Sequence, residues 1–273
     1  MNSVLNFDED LALANRLADA AWSAIRPHFR ALSNVDNKAG AGESYDPVTE
    51  ADRAAEKAMR EIIARERPHH GITGEEFGET PSSSGWRWVL DPVDGTRAFV
   101  AGLPVWTTLI ALVDPMGFPV IGVIDQPVLG ERYIGWPGGA ALQTPAGRSP
   151  LTVSDVPSLS DAVISTTDPF ILSVPEQGAW TDLRGASRLA RYGLDAYAYA
   201  RLAGGTVHLV AESGLQPWDV AALIPVVTGA GGHATDWTGA PASLGGQVLC
   251  TATDALMEEA LTLLAPAAQT SPV

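Results

Sequence analysis

One stretch, Trp88-Val89-Leu90-Asp91-Pro92-Val93-Asp94-Gly95-Thr96-Arg97-Ala98-Phe99, limits the folds open to this chain more than any other. Its apolar opening reads as a buried strand. The Pro-x-Asp-Gly-Thr that follows predicts a sharp exit, which sets two carboxylates on a tight turn at a strand end. The amides of Gly95 and Thr96 then open a short helix through Phe99 and Val100, and a helix N-terminus seats an anion. Two acids beside an anion seat imply a cation between them. A plainer reading makes Asp91 and Asp94 an Asx-turn and an N-cap, and the stretch by itself leaves both open.

The rest of the chain has to supply a core around that strand, and 46% hydrophobic content in 273 residues is ample for one large domain or two closely packed halves. A net charge of -15, with no run of Lys and Arg, argues against a nucleic-acid or anionic-membrane partner bound through a basic face. Clustered acids suit divalent cations, although solubility accounts for much of the charge. Cys250 is the only cysteine, which excludes a disulfide framework or a Cys-based zinc site within one chain, and its strand context predicts a buried thiol. No apolar run reaches the length of a membrane span, and Asp8, Glu9 and Asp10 stand where a signal peptide is basic. The expected location is cytoplasmic.

In chain order, Leu11, Ala14, Leu17, Ala18, Ala21 and Ile25 predict an amphipathic helix from Asp8 to about Leu32, ending near Pro27 or a turn later. The segment from Asn34 to Tyr45 reads as a mobile loop or loose hairpin. Thr49 and Asp52 then stand at the spacing of a capping box before a helix to about Arg65. A short strand at Gly71 delivers Glu75 and Glu76 into a glycine-flanked turn. Strands at Val105–Val113, Val120–Ile124 and Arg132–Trp136 predict an antiparallel meander, with further turns from Gly138 to Pro150. The second half alternates strands and helices: strands at Ala162–Thr166 and Thr206–Ala211, helices at Glu176–Leu183, Asp195–Leu202 and Trp218–Thr228. Short strands at His233–Trp237 and Gln247–Thr251 and a helix at Asp254–Leu264 close it. The fold class is therefore α+β in the first half (1–148) and α/β in the second (149–273), layered as one compact unit, with the tail from Pro266 expected to be disordered.

Several hydrolytic chemistries are absent from the sequence: there is no Gly-x-Ser-x-Gly, no Gly-x-x-x-x-Gly-Lys and no His-Glu-x-x-His. The adjacent His69 and His70 do not aim at one ion in a regular element. What remains is carboxylate. Gly74-Glu75-Glu76, the Trp88–Thr96 stretch, and Pro217-Trp218-Asp219-Val220-Ala221-Ala222 followed by Gly229-Ala230-Gly231-Gly232 together resemble the inositol monophosphatase-like superfamily of metal-dependent phosphatases. The likeness runs from about residue 8 to 265.

That resemblance implies a layered αβαβα sandwich of the sugar-phosphatase type and two or three Mg²⁺ ions. It makes Glu75, Asp91 and the Val93 carbonyl ligands of one ion, has Asp91 bridge to a second held by Asp94 and Asp219, and puts a third, weaker ion beside Glu75 and Glu76. Thr49 and Asp52 match a family Thr-x-x-Asp in which Asp52 and Thr96 orient the attacking water, with Glu75 also in the catalytic set. Gly95 and Thr96 hold the phosphate, and Lys38 falls near a family lysine. The substrate is a small phosphate monoester, and family members are commonly homodimers. The arrangement makes physical sense: two carboxylates about 4 Å apart repel by roughly 4 kcal/mol at an effective dielectric near 20. Mg²⁺, which takes hard oxygen ligands, supplies the counter-charge.

Within the superfamily, Pro104–Leu112 with Gly122–Arg132, and Asp195–Tyr199 with Glu212–Asp219, resemble the histidinol-phosphate phosphatase branch more than the inositol branch. Asp195 and Glu212 are acids that the metal scheme leaves unused, and with Arg97 they are the candidates for holding the substrate. An amine and an imidazole favour such carboxylates, whereas a polyol needs neutral hydrogen bonds. The expected activity is thus hydrolysis of L-histidinol phosphate in histidine biosynthesis. The alternatives are an inositol monophosphatase, a broad sugar or nucleotide phosphatase, or an inactive cation-binding scaffold.

Overall fold

A computed structural model of the chain describes residues 7–31, 35–37, 47–242 and 244–269, the short strands Val35–Asn37 and Pro47–Thr49 by their backbone only. Lys38 and the side chain of Thr49 lie outside the described residues, as does most of the 34–45 segment. The two short strands pair antiparallel, Val35 opposite Thr49.

Beside that pair, the described residues form two larger sheets and three helical layers. The larger sheet has eight strands in the order Gly147–Pro150, Gly139–Thr144, Glu131–Trp136, Pro119–Gln126, Thr107–Val113, Arg87–Asp94, Gly71–Gly74, Gly78–Thr80. All neighbours are antiparallel except Gly71–Gly74 and Arg87–Asp94, which run parallel. Along the central strand Trp88 and Leu90 face one side and Val89 the other, as the period of two requires. The first side packs on the helices Phe7–Ile25 and Glu50–Glu66 through Leu13, Leu17, Ala55 and Met59. The other packs on the helices Ala196–Ala203 and Leu223–Gly229, whose far side meets Val210, Val248 and Cys250 of the second sheet. That sheet has five strands in the order Leu189–Arg191, Val163–Ser165, Leu209–Leu215, Gly246–Thr251, His233–Thr235. Its outer face is covered by Val174–Ala186 and Asp254–Leu264 through Trp180, Leu183, Leu256 and Ala260. The layers run α, β, α, β, α, as the resemblance implies.

Close contact between the larger sheet and Leu223–Gly229 depends on two glycines paired across neighbouring strands, Gly122 and Gly135. A Cβ on Gly122 would stand 2.1 Å from the Ala222 carbonyl oxygen, and one on Gly135 2.2 Å from the Pro225 carbonyl. Only glycine leaves room for the helix there.

Several sequence expectations are corrected. The first helix ends at Ile25, two residues before Pro27, because a residue preceding proline is driven out of the helical region. Gly138 to Pro150 is a strand hairpin rather than turns alone, since its second strand adds to a sheet edge that sequence cannot reveal. The strand placed at Thr206–Ala211 lies at Leu209–Leu215, which puts Glu212 inside it. Trp218–Thr228 divides into Pro217–Val220 and Leu223–Gly229. Gly78–Thr80 and Leu189–Arg191 are short, largely exposed edge strands with no periodic signal. Cys250 is buried, as expected. Among the described residues no helix is long and apolar enough to cross a membrane.

Candidate active site

The central strand does not exit at Pro92. It continues to Asp94 through a register break, Asp91 pairing with Leu109 and Asp94 with Thr107, so two residues on the Thr107–Val113 side face three steps of the central strand. Proline lacks the N–H that a regular ladder needs, and the bulge removes it from the ladder. Its carbonyl accepts the Thr108 hydroxyl at 2.7 Å. The consequence is that Asp91 and Asp94 both reach one cavity. Beyond them Gly95, at φ +81°, turns the chain into the short helix Thr96–Val100, and the Thr96 hydroxyl donates to the Val93 carbonyl at 3.0 Å.

Asp219 comes from the start of Pro217–Val220, where its carboxylate accepts the Gln216 amide at 2.7 Å as a cap. Asp91, Asp94 and Asp219 each offer an oxygen within 4.8 Å of the other two. With Glu75, Val93, Gly95, Thr96, Asp195 and Glu212 they line a cavity of about 360 Å³. Burial pushes the Asp91 carboxyl well above the usual carboxylate range, and the charges of Glu75, Asp94, Asp219 and Asp52 push it further. Asp94 is raised in the same way by burial, Asp195 and Asp219, against a 2.8 Å bond from the Ala196 amide and one from Thr107. Among the described residues Asp91 Oδ1 is buried without a hydrogen-bond partner. A buried, repelling, hard-oxygen set with an unpartnered carboxylate oxygen fits a divalent cation.

The turn that carries Glu75 is held from behind. Glu56, fully buried on the Glu50–Glu66 helix, accepts the amides of Glu76 at 2.7 Å and Phe77 at 3.2 Å and the Nε of Arg60 at 2.7 Å. Sequence reading missed Glu56, although its spacing of four from Asp52 puts both acids on one helix face. Asp52 is buried behind Asp91 and adds to its upward shift. Glu76, by contrast, sets its carboxylate 4.0 Å from Arg53 Nε and is not part of the cavity lining.

Next to this trio the cavity lining continues with Asp195 and Glu212. Asp195, at φ +46°, is one of two described non-glycine residues with positive φ, a strained position that puts its carboxylate against Gly95. A Cβ on Gly95 would lie 3.0 Å from Asp195 Oδ2, a second reason for glycine there. Burial raises the Asp195 pKa to about 6, against the Arg97 guanidinium and a hydrogen bond from Thr167. Glu212 accepts the Thr167 amide at 2.8 Å and hydroxyl at 3.0 Å, and burial lifts it to about 8. Thr166 and Thr167 carried no sequence signal, because only the fold brings them beside Glu212.

Comparison with known proteins places this architecture in context. The profile of the inositol monophosphatase family matches residues 6–271. The histidinol-phosphatase of Mycobacterium tuberculosis is 38% identical over 94% of this chain and 98% of that protein. The chloroplastic bifunctional phosphatase IMPL2 of Arabidopsis thaliana is 44% identical over 85% of this chain, which spans 65% of that protein's length. Among solved structures, an inositol monophosphatase from Zymomonas mobilis superposes with a TM-score of 0.85 at 39% identity, covering 96% of this chain and all of that one.

Proposed function

The chain belongs to the inositol monophosphatase family, a family of phosphate-monoester phosphatases, and from that premise we propose that it is a Mg²⁺-dependent histidinol-phosphatase, hydrolysing L-histidinol phosphate to L-histidinol and phosphate. The observation that carries the reading is one cavity lined by two groups of acids, Asp91, Asp94 and Asp219 and, beside them, Asp195 with Glu212.

In this reading Glu75, Asp91, Asp94, Asp219 and the Val93 carbonyl hold two Mg²⁺ ions. When bound, Mg²⁺ supplies a water of lowered pKa and counter-charge for the phosphoryl oxygens. Glu76 faces Arg53, so the third ion of the family scheme has weaker support in this chain. Asp52 and Thr96 orient the attacking water, and the amides of Gly95 and Thr96 hold the phosphate oxygens. Placing these groups around one cavity keeps them aligned, which is most of what phosphoryl transfer asks of a protein.

The second group sets specificity. Asp195, with its pKa about 6, is ionised at neutral pH and ready for the substrate's ammonium or imidazolium, while Arg97 beside it keeps it oriented. Glu212, with its pKa about 8, holds a proton at neutral pH until a cation displaces it. A cytoplasmic homodimer is part of the same reading, supported by family membership and checked by sedimentation.

Initial rates on L-histidinol phosphate, inositol 1-phosphate and phenyl phosphate test the substrate. The expected result is the highest kcat/KM on histidinol phosphate. A preference for inositol 1-phosphate favours the inositol monophosphatase alternative, which the close superposition on the Zymomonas enzyme keeps in view.

A further inference from the structure

Glu176 opens the helix Val174–Ala186 outside the cavity lining, yet it is 3% exposed and surrounded by neutral donors. Its Oε2 accepts the Ser173 amide at 2.8 Å, the ordinary capping-box bond. A cap needs no more. Its Oε1 nonetheless accepts three further bonds: from the Ser213 hydroxyl at 2.5 Å, Gln247 Nε2 at 2.7 Å and Gln269 Nε2 at 3.0 Å. Burial works to raise its pKa, and the donations from Ser173, Ser213 and Gln247 outweigh that and hold it below the usual range, so the carboxylate is charged.

Ser213 lines the cavity and follows Glu212. It lies where the pairing of Leu209–Leu215 with Gly246–Thr251 breaks register between Glu212 and Leu215, next to Gly214 at φ +78°. At a bulge the ladder no longer fixes the backbone, and side chains must do so. Here they do so in opposite directions: Glu212 is tied to Thr166 and Thr167, Ser213 to Glu176. Gln247, on the partner strand, also bonds the Ala267 carbonyl and accepts the Gln269 amide, which joins the chain end to the same anchor.

We infer that Glu176 is a positioning residue: through Ser213 it fixes the bulged wall that carries Glu212, and so governs how the organic part of the substrate, not its phosphate, is held. This rests on the phosphatase reading above. A Glu176→Gln side chain cannot accept all four bonds, because its amide group must face at least one donor. The variant is expected to raise KM for L-histidinol phosphate about 10-fold, the effect of losing one charge-assisted hydrogen bond. Its kcat, its Mg²⁺ half-saturation and its KM for phenyl phosphate stay within about twofold, because the metal corner is untouched. Ser213→Ala, which removes a single hydroxyl, is expected to raise KM for L-histidinol phosphate about 3-fold.

Amide hydrogen exchange, read without substrate, is expected to quicken at residues 212–216 and to stay unchanged at 91–97 in both variants. Unchanged exchange at 212–216, or a lower Tm with unchanged KM, overturns the inference, as does a parallel loss of kcat and Mg²⁺ affinity. A wild-type chain that hydrolyses none of the esters instead overturns the phosphatase reading, and the exchange pattern tells the two failures apart.

Discussion

The two groups of acids in the cavity are built on different electrostatic plans. In one, Asp91, Asp94 and Asp219 converge with Glu75 nearby, the pKa values of Asp91 and Asp94 are driven up by burial and by neighbouring acids, and one buried oxygen of Asp91 has no partner among the described residues. In the other, the acids also have protein partners: Thr166 and Thr167 for Glu212, and the Arg97 charge with a share of Thr167 for Asp195. Carboxylates in mutual repulsion at roughly 4 kcal/mol per close pair call for a counter-ion or a proton, whereas hydroxyl and amide donors offset part of the burial cost of the second pair. On the proposed reading, that contrast separates a place for metal from a place for substrate.

The most drastic way to break the contrast is Asp91→Asn. It removes the charge assigned to both ions, so turnover should fall to background while the folded chain persists. Near-normal activity with Mg²⁺ would remove the bridging role. Next in size, Asp195→Asn should lower kcat/KM for histidinol phosphate by about 10- to 100-fold, the equivalent of about 1.5 to 3 kcal/mol for a charge-assisted bond, and leave phenyl phosphate nearly unchanged. Equal losses on both esters would place Asp195 in the phosphate machinery rather than in specificity.

How much of this the chain announced differs between the same two groups. The metal-side acids stand in short local motifs, Gly74-Glu75-Glu76, Asp91 to Thr96 and Trp218-Asp219, so their grouping was legible once the motifs were read together. The five layers were legible only through the resemblance those motifs carry, while the apolar stripe of the first helix announced that helix by itself. The bulge at Pro92 was not, since a Pro-x-Asp-Gly run reads as an exit unless the neighbouring strand is known. Nor were Thr167 beside Glu212, Glu56 under the Glu75 turn or Glu76 against Arg53, all of which are contacts between segments distant in sequence. The surroundings of Asp195 and Glu212 are assembled almost wholly from such contacts.

Smaller effects sharpen the comparison through pH. Activity should decline toward acid as protons compete with Mg²⁺ for Asp91 and Asp94, and the acid limb should move to lower pH as Mg²⁺ is raised. A limb insensitive to Mg²⁺ would assign it to another group. Glu212 has the opposite consequence for stability. Its carboxyl rises from 4.5 unfolded to about 8 folded, so the metal-free folded state binds the proton more tightly. Its penalty is absent below pH 4.5, grows as pH rises to about 8 and is constant above. Thermal melts without metal should therefore show Tm falling across that window in the wild type and a flatter profile in Glu212→Gln. Matching profiles would mean that Glu212 does not carry the shift.

The central claim is that the Asp91, Asp94 and Asp219 group is a working metal centre. Phosphate release from L-histidinol phosphate, followed with Mg²⁺, after excess EDTA and again after Mg²⁺ is restored, tests it most directly. The account predicts turnover, loss and recovery in the wild type, with none of the three phases showing turnover in Asp91→Asn. Hydrolysis that continues unchanged in EDTA, or equal turnover by Asp91→Asn, would contradict it.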